Sequence, residues 1–322
     1  MTSVNSTRAT IGIDIGGTKI AGGLIAPDGT ILKRDRRDSP AENVDEIAAT
    51  VADVISDLAE GEDVERAGVA CAGYIDKSGT TVLFSPNLAW RDEPLKERLE
   101  KSVDVEVTIE NDANAAAYGE FIHGAGHDVD DMVMITIGTG VGGGVIIDGE
   151  LFRGSYGIAA EIGHMRVVPD GIRCGCGNRG CLESYGSGRA LVREARALVA
   201  GGSPYTGGLA DKCGGDARQL EGKHVTEAAQ AGDPAAIELL ADIGRWIGEG
   251  AASLTSVLDP ARFVIGGGVA DAGDLLLGPI RQAFGRQLTG RGHRPTATFE
   301  IAQLGNDAGM VGAAALVRPA KA

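Results

Sequence analysis

Glu161-Ile-Gly-His164 is followed, after nine residues, by Cys174-Gly-Cys176-Gly-Asn-Arg-Gly-Cys181-Leu-Glu183, so one histidine and three cysteines fall within a single loop-and-turn unit. Three thiolates and one imidazole at these spacings suit a closed tetrahedral zinc site. Four protein ligands leave no open position for a reactive water, so such a metal is structural and the chemistry falls to the groups it positions. Glu161 and Glu183 flank the ligands as two carboxylates that a folded metal loop can aim. The competing reading is a small disulfide loop, or reduced cysteines under a glycine-rich turn.

Three further segments have the composition of anion-gripping turns: Gly16-Gly17-Thr18-Lys19, Gly138-Thr139-Gly140 and Gly266-Gly267-Gly268, each after an apolar run. Glycine there lets backbone N–H groups close on a phosphate. None of the three is a P-loop, and the first two lead into strands rather than helices, which disfavours a dinucleotide-binding fingerprint. Asp14 stands two residues before the first turn. A carboxylate in that position is costly unless it meets a cation, and its functional reading is Mg²⁺ held through water. The alternative is a solvent-facing or turn-capping Asp. Asp112 opens an Ala-rich stretch directly after an apolar strand. It is either an N-cap acid favoured by the helix dipole or a base at a strand's carboxyl end, where α/β folds place ligands. Asn111, Asp112 and Asn114 gather donors and acceptors at one point, as a polyhydroxylated substrate requires. Asn87 in Pro86-Asn87-Leu88 adds an amide, and Gly73 allows a close backbone or sugar approach.

The elements that must carry these groups follow from periodicity. Residues 10–15 and 20–26 read as strands around the first turn; Asp28-Gly29 is a hairpin signal, and a third strand starts at Ile31. Residues 41–58 have helical spacing through Val44, Ile47, Val51, Val54, Ile55 and Leu58. Strands over 66–73 and 103–109 precede a helix over 111–122. The opening pattern then recurs: strands over 132–137 and 141–147, the Asp148-Gly149 turn, and a third strand from Glu150. A duplicated strand-turn-strand-turn-strand unit implies two related α/β halves. Helices are expected over 188–199, 225–258 and 275–288, with Asp233-Pro234 reading as a helix start. Strands are expected over 262–265 and 298–304. A short apolar helix over 308–317 should return to the first domain, and residues 201–215 read as a mobile loop.

Composition sets the outer limits. The chain's 322 residues suffice for two domains. A hydrophobic content of 43% with 23% charged residues is a globular balance, and no apolar run approaches the roughly 20 residues of a membrane helix. The polar first ten residues lack a signal-peptide core, so the expected location is cytoplasmic, with no membrane partner. Five cysteines, three of them clustered, argue for reduced thiols and a metal rather than a secreted disulfide framework. A net charge of −15 argues against a nucleic-acid partner.

Taken in order, Asp14-Ile-Gly-Gly-Thr-Lys19, Pro86-Asn87-Leu88, Glu110-Asn-Asp-Ala-Asn114, Gly138-Thr-Gly-Val-Gly-Gly-Gly144 and the histidine–cysteine segment make a pattern that resembles the ROK family of sugar kinases and sugar-responsive repressors, from about residue 10 to 317. The chain looks most like the family's bacterial-type glucokinases. The resemblance implies an actin/hexokinase-like (ribonuclease H-like) duplicated α/β fold with two domains around a cleft: residues 1–112 plus 308–322 in the smaller, and 113–307, with the zinc segment 161–183, in the larger. It implies transfer of the γ-phosphoryl group of ATP, carried with Mg²⁺, to the 6-hydroxyl of glucose. Asp112 then matches the general base. Gly73, Asn87, Asn111, Asp112, Glu161, His164 and Glu183 form the expected sugar site. Asp14, Gly16, Gly17, Thr18, Lys19, Thr139, Gly140, Gly266, Gly267 and Gly268 form the expected nucleotide site. His164, Cys174, Cys176 and Cys181 match the ligands of a structural Zn²⁺, His164 giving one ring nitrogen to zinc and the other to sugar. A dimer or tetramer of identical chains is expected. The alternatives are a kinase for N-acetylglucosamine, N-acetylmannosamine, mannose or fructose, a polyphosphate donor, or a sugar-sensing repressor lacking its DNA-binding domain.

Overall fold

The computed structural model describes residues 8–85 and 88–318. Its strands, in chain order, are β1 (Thr10–Ile15), β2 (Lys19–Ile25), β3 (Ile31–Asp38), β4 (Arg66–Cys71), β5 (Tyr74–Ile75), β6 (Val82–Phe84), β7 (Arg91–Glu93), β8 (Glu106–Asn111), β9 (Met132–Ile137), β10 (Val141–Ile147), β11 (Glu150–Leu151), β12 (Arg262–Gly266) and β13 (Thr298–Ile301). The helices are α1 (Val44–Ala59), α2 (Leu95–Glu100), α3 (Asp112–His123), α4 (Glu183–Gly186), α5 (Gly188–Ala200), α6 (Gly207–Lys212), α7 (Gly222–Gln230), α8 (Pro234–Leu258), α9 (Asp274–Gln287) and α10 (Ala308–Leu316).

Two five-stranded sheets repeat one plan, β3-β2-β1-β4-β8 and β11-β10-β9-β12-β13. In each, the first, fourth and fifth strands of the set run parallel. This is the duplication expected from the sequence. The three-stranded sheet β5-β6-β7 was not expected, because strands of two or three residues are too short to show a period.

Contacts divide the chain into a first unit of Met1–Val129, Gly144–Ala160 and Gln303–Ala322 and a second of Asp130–Gly143 and Glu161–Ala302. This differs from the expected division at residues 112 and 308. The reason is α3, which packs with α10 and so stays in the first unit. Gly312 on α10 lies so close to α3 that a Cβ there would strike the Ala115 carbonyl. Gly12 on β1 and Gly68 on β4 meet the carbonyls of Met310 and Ala313 in the same way. The helix therefore beds into the sheet at backbone distance, which no apolar period announces.

On the first sheet, α1 buries Ile47, Val51, Val54, Ile55 and Leu58. Asn43 caps it by accepting from the N–H groups of Asp45 and Glu46, which moves its start from the expected residue 41 to Val44. The expected helix over 225–258 is two helices. Gly232, at φ +89°, breaks the run, and Asp233 caps α8 by accepting from the Ala236 N–H at 2.8 Å. Residues 201–215, expected as a mobile loop, contain the turn Pro204–Thr206 and α6, whose Leu209 is buried. Among the described residues, no helix is long and apolar enough to cross a membrane.

Candidate active site

In the first unit, β8 ends on Asn111 and α3 starts on Asp112. The Asn111 side chain caps the helix, its Oδ1 accepting from the Asn114 N–H at 3.0 Å, while its Nδ2 donates to the Gly73 carbonyl at 3.0 Å. Asp112 Oδ1 accepts from the Ala113 N–H at 2.9 Å. Burial pushes the Asp112 carboxyl above its ordinary range, against the hydrogen bonds that favour its ionised form. A carboxylate of raised basicity at a strand–helix junction is suited to take a proton from an alcohol. Asn114, grouped in sequence with Asn111 and Asp112, is buried, and its Nδ2 is spent on Glu110 at 3.0 Å. Its Oδ1 has no hydrogen-bond partner among the described residues. Gly73 is at φ +139° and packs against the Phe84 carbonyl, so the backbone approach it permits is to the protein's own chain. Asn87 lies outside the described residues.

Asp14 sits on β1, where burial and then the charge of Asp112 push its pKa up to about 7. The turn that follows is closed by Gly16 N–H donating to the Lys19 carbonyl at 2.9 Å, and Gly17 and Thr18 are exposed. Lys19 differs from the anion-binding expectation in one respect: its ammonium already pairs with Asp38.

Because Asp14 rises from 3.8 to about 7, the folded chain holds more protons than the unfolded one between those values. Its carboxyl therefore subtracts stability as the pH climbs through that window. Asp14→Asn is expected to stabilise the ligand-free protein at pH 8 by about 1 to 3 kcal/mol, a Tm rise of roughly 2 to 6 °C, with the gain fading towards pH 4. Thermal melts of both proteins across that range test this; a difference independent of pH would contradict it.

In the second unit, the four expected metal ligands converge. One ligand atom each from His164, Cys174, Cys176 and Cys181 lies within 4.8 Å of the others. His164 Nδ1 is 3.7 Å from Cys174 Sγ, and Cys176 Sγ is 3.7 Å from Cys181 Sγ. Tetrahedral zinc with Zn–S near 2.3 Å has ligand–ligand edges of about 3.8 Å, so the donor set fits the ion in type and spacing. The thiols alone are poorly matched to one another. Burial and the neighbouring thiols push Cys181 up to about 12, while Cys176, despite some desolvation, is held below its ordinary value by hydrogen bonds led by the Asn178 backbone. The five cysteines form no disulfide. With Nδ1 toward the sulfurs, His164 Nε2 faces Glu161 Oε2 at 3.9 Å. Glu183 Oε2 accepts from the Val141 N–H at 3.1 Å, which ties the cysteine segment to the turn between β9 and β10.

That turn is closed by Gly138 N–H donating to the Gly140 carbonyl at 3.0 Å and is held from outside by Gly188 N–H on the Gly138 carbonyl at 2.8 Å. Gly267, at φ +83°, packs on the backbone of Ile137, and Gly268 opens the helical turn Gly268–Ala272. Gly138, Thr139 and Gly268 line one cavity of about 1030 Å³ in this unit, together with Arg189, Lys223 and Gln230. A concave space of that size with cations near glycine turns suits a nucleotide. The last three residues were missed in sequence. Arg189, Arg193 and Arg196 share one face of α5, but nothing in a helical charge row distinguishes a pocket wall from a solvated face.

The sequence model of the ROK family matches residues 10–320. A glucokinase of Streptomyces coelicolor is 46% identical over 96% of this chain and 97% of its own. The crystal structure of a ROK family glucokinase from Streptomyces griseus in complex with glucose and AMPPNP is 49% identical, with a TM-score of 0.87 over 96% of this chain and 99% of that one. A xylose repressor of Bacillus subtilis is 30% identical over 84% of this chain and 67% of its own.

Proposed function

The chain belongs to the ROK family, and from that premise we infer that it is an ATP-dependent glucokinase, giving glucose 6-phosphate from the 6-hydroxyl of D-glucose. The observation that carries this is likeness over nearly the whole of both chains to a glucokinase crystallised with glucose and a nucleotide.

Our reading of the parts is as follows. Asp112 accepts the proton of the sugar hydroxyl as its oxygen bonds to the γ-phosphorus and the bond from that phosphorus to the departing ADP breaks, and burial gives Asp112 the basicity for that step. Asn111 fixes the strand–helix junction that aims it. Glu161, His164 and Glu183 offer two carboxylates and an imidazole to sugar hydroxyls. In the first unit the N–H groups of Gly17 and Thr18 suit a phosphate, since that of Gly16 closes its own turn; in the second unit those of Thr139 and Gly140 do, and the cavity beside Thr139 and Gly268 suits the nucleoside. Asp14, whose carboxyl burial raises to about 7, would answer the charge of nucleotide-bound Mg²⁺ through water. Cys174, Cys176, Cys181 and His164 Nδ1 would hold Zn²⁺, which supplies a fixed positive charge that sets the tautomer and direction of the imidazole. Rate then comes chiefly from positioning and from neutralising the phosphates. The acidic surface and reduced thiols support work in the cytoplasm, and a symmetric dimer or tetramer is the proposed assembly.

A coupled assay with MgATP against glucose, mannose, fructose and the N-acetylhexosamines tests the substrate. Glucose should give the highest kcat/KM; no turnover of any hexose would overturn the kinase reading in favour of a sugar-binding regulator.

A further inference from the structure

Glu110 is a carboxylate inside the first unit that the reaction does not use, with a side chain only 7% exposed. Its Oε1 accepts from the Asn111 N–H at 2.9 Å and from Asn114 Nδ2 at 3.0 Å. Its Oε2 accepts from Arg153 Nε at 2.6 Å. One carboxylate thus grips the residue before Asp112 and the residue two places after it, and a guanidinium grips the carboxylate. Arg153 itself has a fixed base. Its carbonyl accepts from the Ala159 N–H at 3.2 Å, and Gly157 in the same loop packs on the backbone of Ile75 and Lys77.

We propose that Arg153 is a positioning residue for phosphoryl transfer, holding Glu110 so that Asn111 and Asp112 keep the orientation the reaction needs. The proposal rests on the reading of Asp112 as the base. A buried carboxylate stripped of its cation has an oxygen short of a donor and turns towards whatever donor or water it can reach. Without the guanidinium on Oε2, the Glu110 carboxylate is free to turn about its last bond, and its Oε1 grips on the Asn111 N–H and Asn114 Nδ2 loosen. Displacement of a base by a fraction of an ångström is enough to slow transfer while leaving the fold standing.

The test compares Arg153→Gln, Arg153→Lys, Glu110→Gln and the double variant Glu110→Gln/Arg153→Gln. For each, glucose-binding sites are counted by calorimetry and turnover is expressed per site. Arg153→Gln should lower kcat per site by between about tenfold and a hundredfold. The KM for MgATP should stay within about threefold, since uniform nucleotide binding is untouched. Arg153→Lys should restore most of the turnover. The double variant, which replaces the ion pair by two complementary amides, should be no slower than the slower single variant. A purely structural role would lower Tm and the number of binding sites but not kcat per site. Wild-type kcat per site in Arg153→Gln, or singles whose losses multiply in the double variant, would overturn the proposal. If Arg153→Gln does not fold, Arg153→Lys and the double variant decide by the same measure. An inactive parent enzyme would instead refute the kinase reading, so the two failures are distinct.

Discussion

Asp112→Asn is expected to cost between about 10² and 10⁴ in kcat, or about 2.7 to 5.5 kcal/mol of transition-state stabilisation. The amide keeps the oxygen that accepts from Ala113, so the helix start survives and glucose should bind within a few-fold of its parent affinity. What disappears is the basic site. Burial raises the carboxyl above its ordinary range. Activity of the parent should therefore climb with pH on an acid limb placed above the usual carboxylate value, because only the ionised form accepts a proton. In the variant the part of that limb that belongs to Asp112 should vanish together with the rate, leaving only what Asp14 contributes. Steady-state kinetics with calorimetric glucose binding measure both; near-parent turnover in a folded variant removes Asp112 from the role.

Loss of the metal should be nearly as severe. Cys176 is the exposed thiol of the set, so Cys176→Ser tests the ion with little disturbance of packing. Bound zinc, measured by elemental analysis, should fall well below one per chain. The kcat/KM for glucose should drop by roughly 10 to 100-fold or more, as Glu161, His164 and Glu183 lose their common anchor. A smaller rise in the KM for MgATP should accompany it, because Glu183 also holds the N–H of Val141 beside the turn at Gly138–Gly140. Fully active parent protein that carries no metal would contradict this account.

Much of the architecture was legible because it is periodic. β1, β9 and β10 fall where the apolar runs put them, and the repeat of strand and glycine turn foretold two sheets of one plan. The gathering of His164, Cys174, Cys176 and Cys181 was legible because four donors of types that suit a metal stand within a short segment. What stayed hidden depends on partners distant in sequence. Arg153 and Glu110 are 43 residues apart. Asn111 and Gly73 are 38 apart, and neither sequence position reveals that the amide of one is spent on the carbonyl of the other. Arg189 and Lys223 became pocket residues only when α5 and α7 came together beside the glycine turns. The unit boundary was misplaced for the same cause: α3 looked like the start of a new domain until its glycine contact with α10 was seen.

The bedding of α10 against Gly12, Gly68 and α3 has a consequence for biosynthesis. The sheet that leaves the ribosome earliest cannot be covered until residues 308–316 have been made. For most of translation its α10 face stands bare, while the intervening second unit has its strands and helices available sooner. The part synthesised first is thus the part that matures last, and nascent chains stalled before residue 308 should be the ones that chaperones hold.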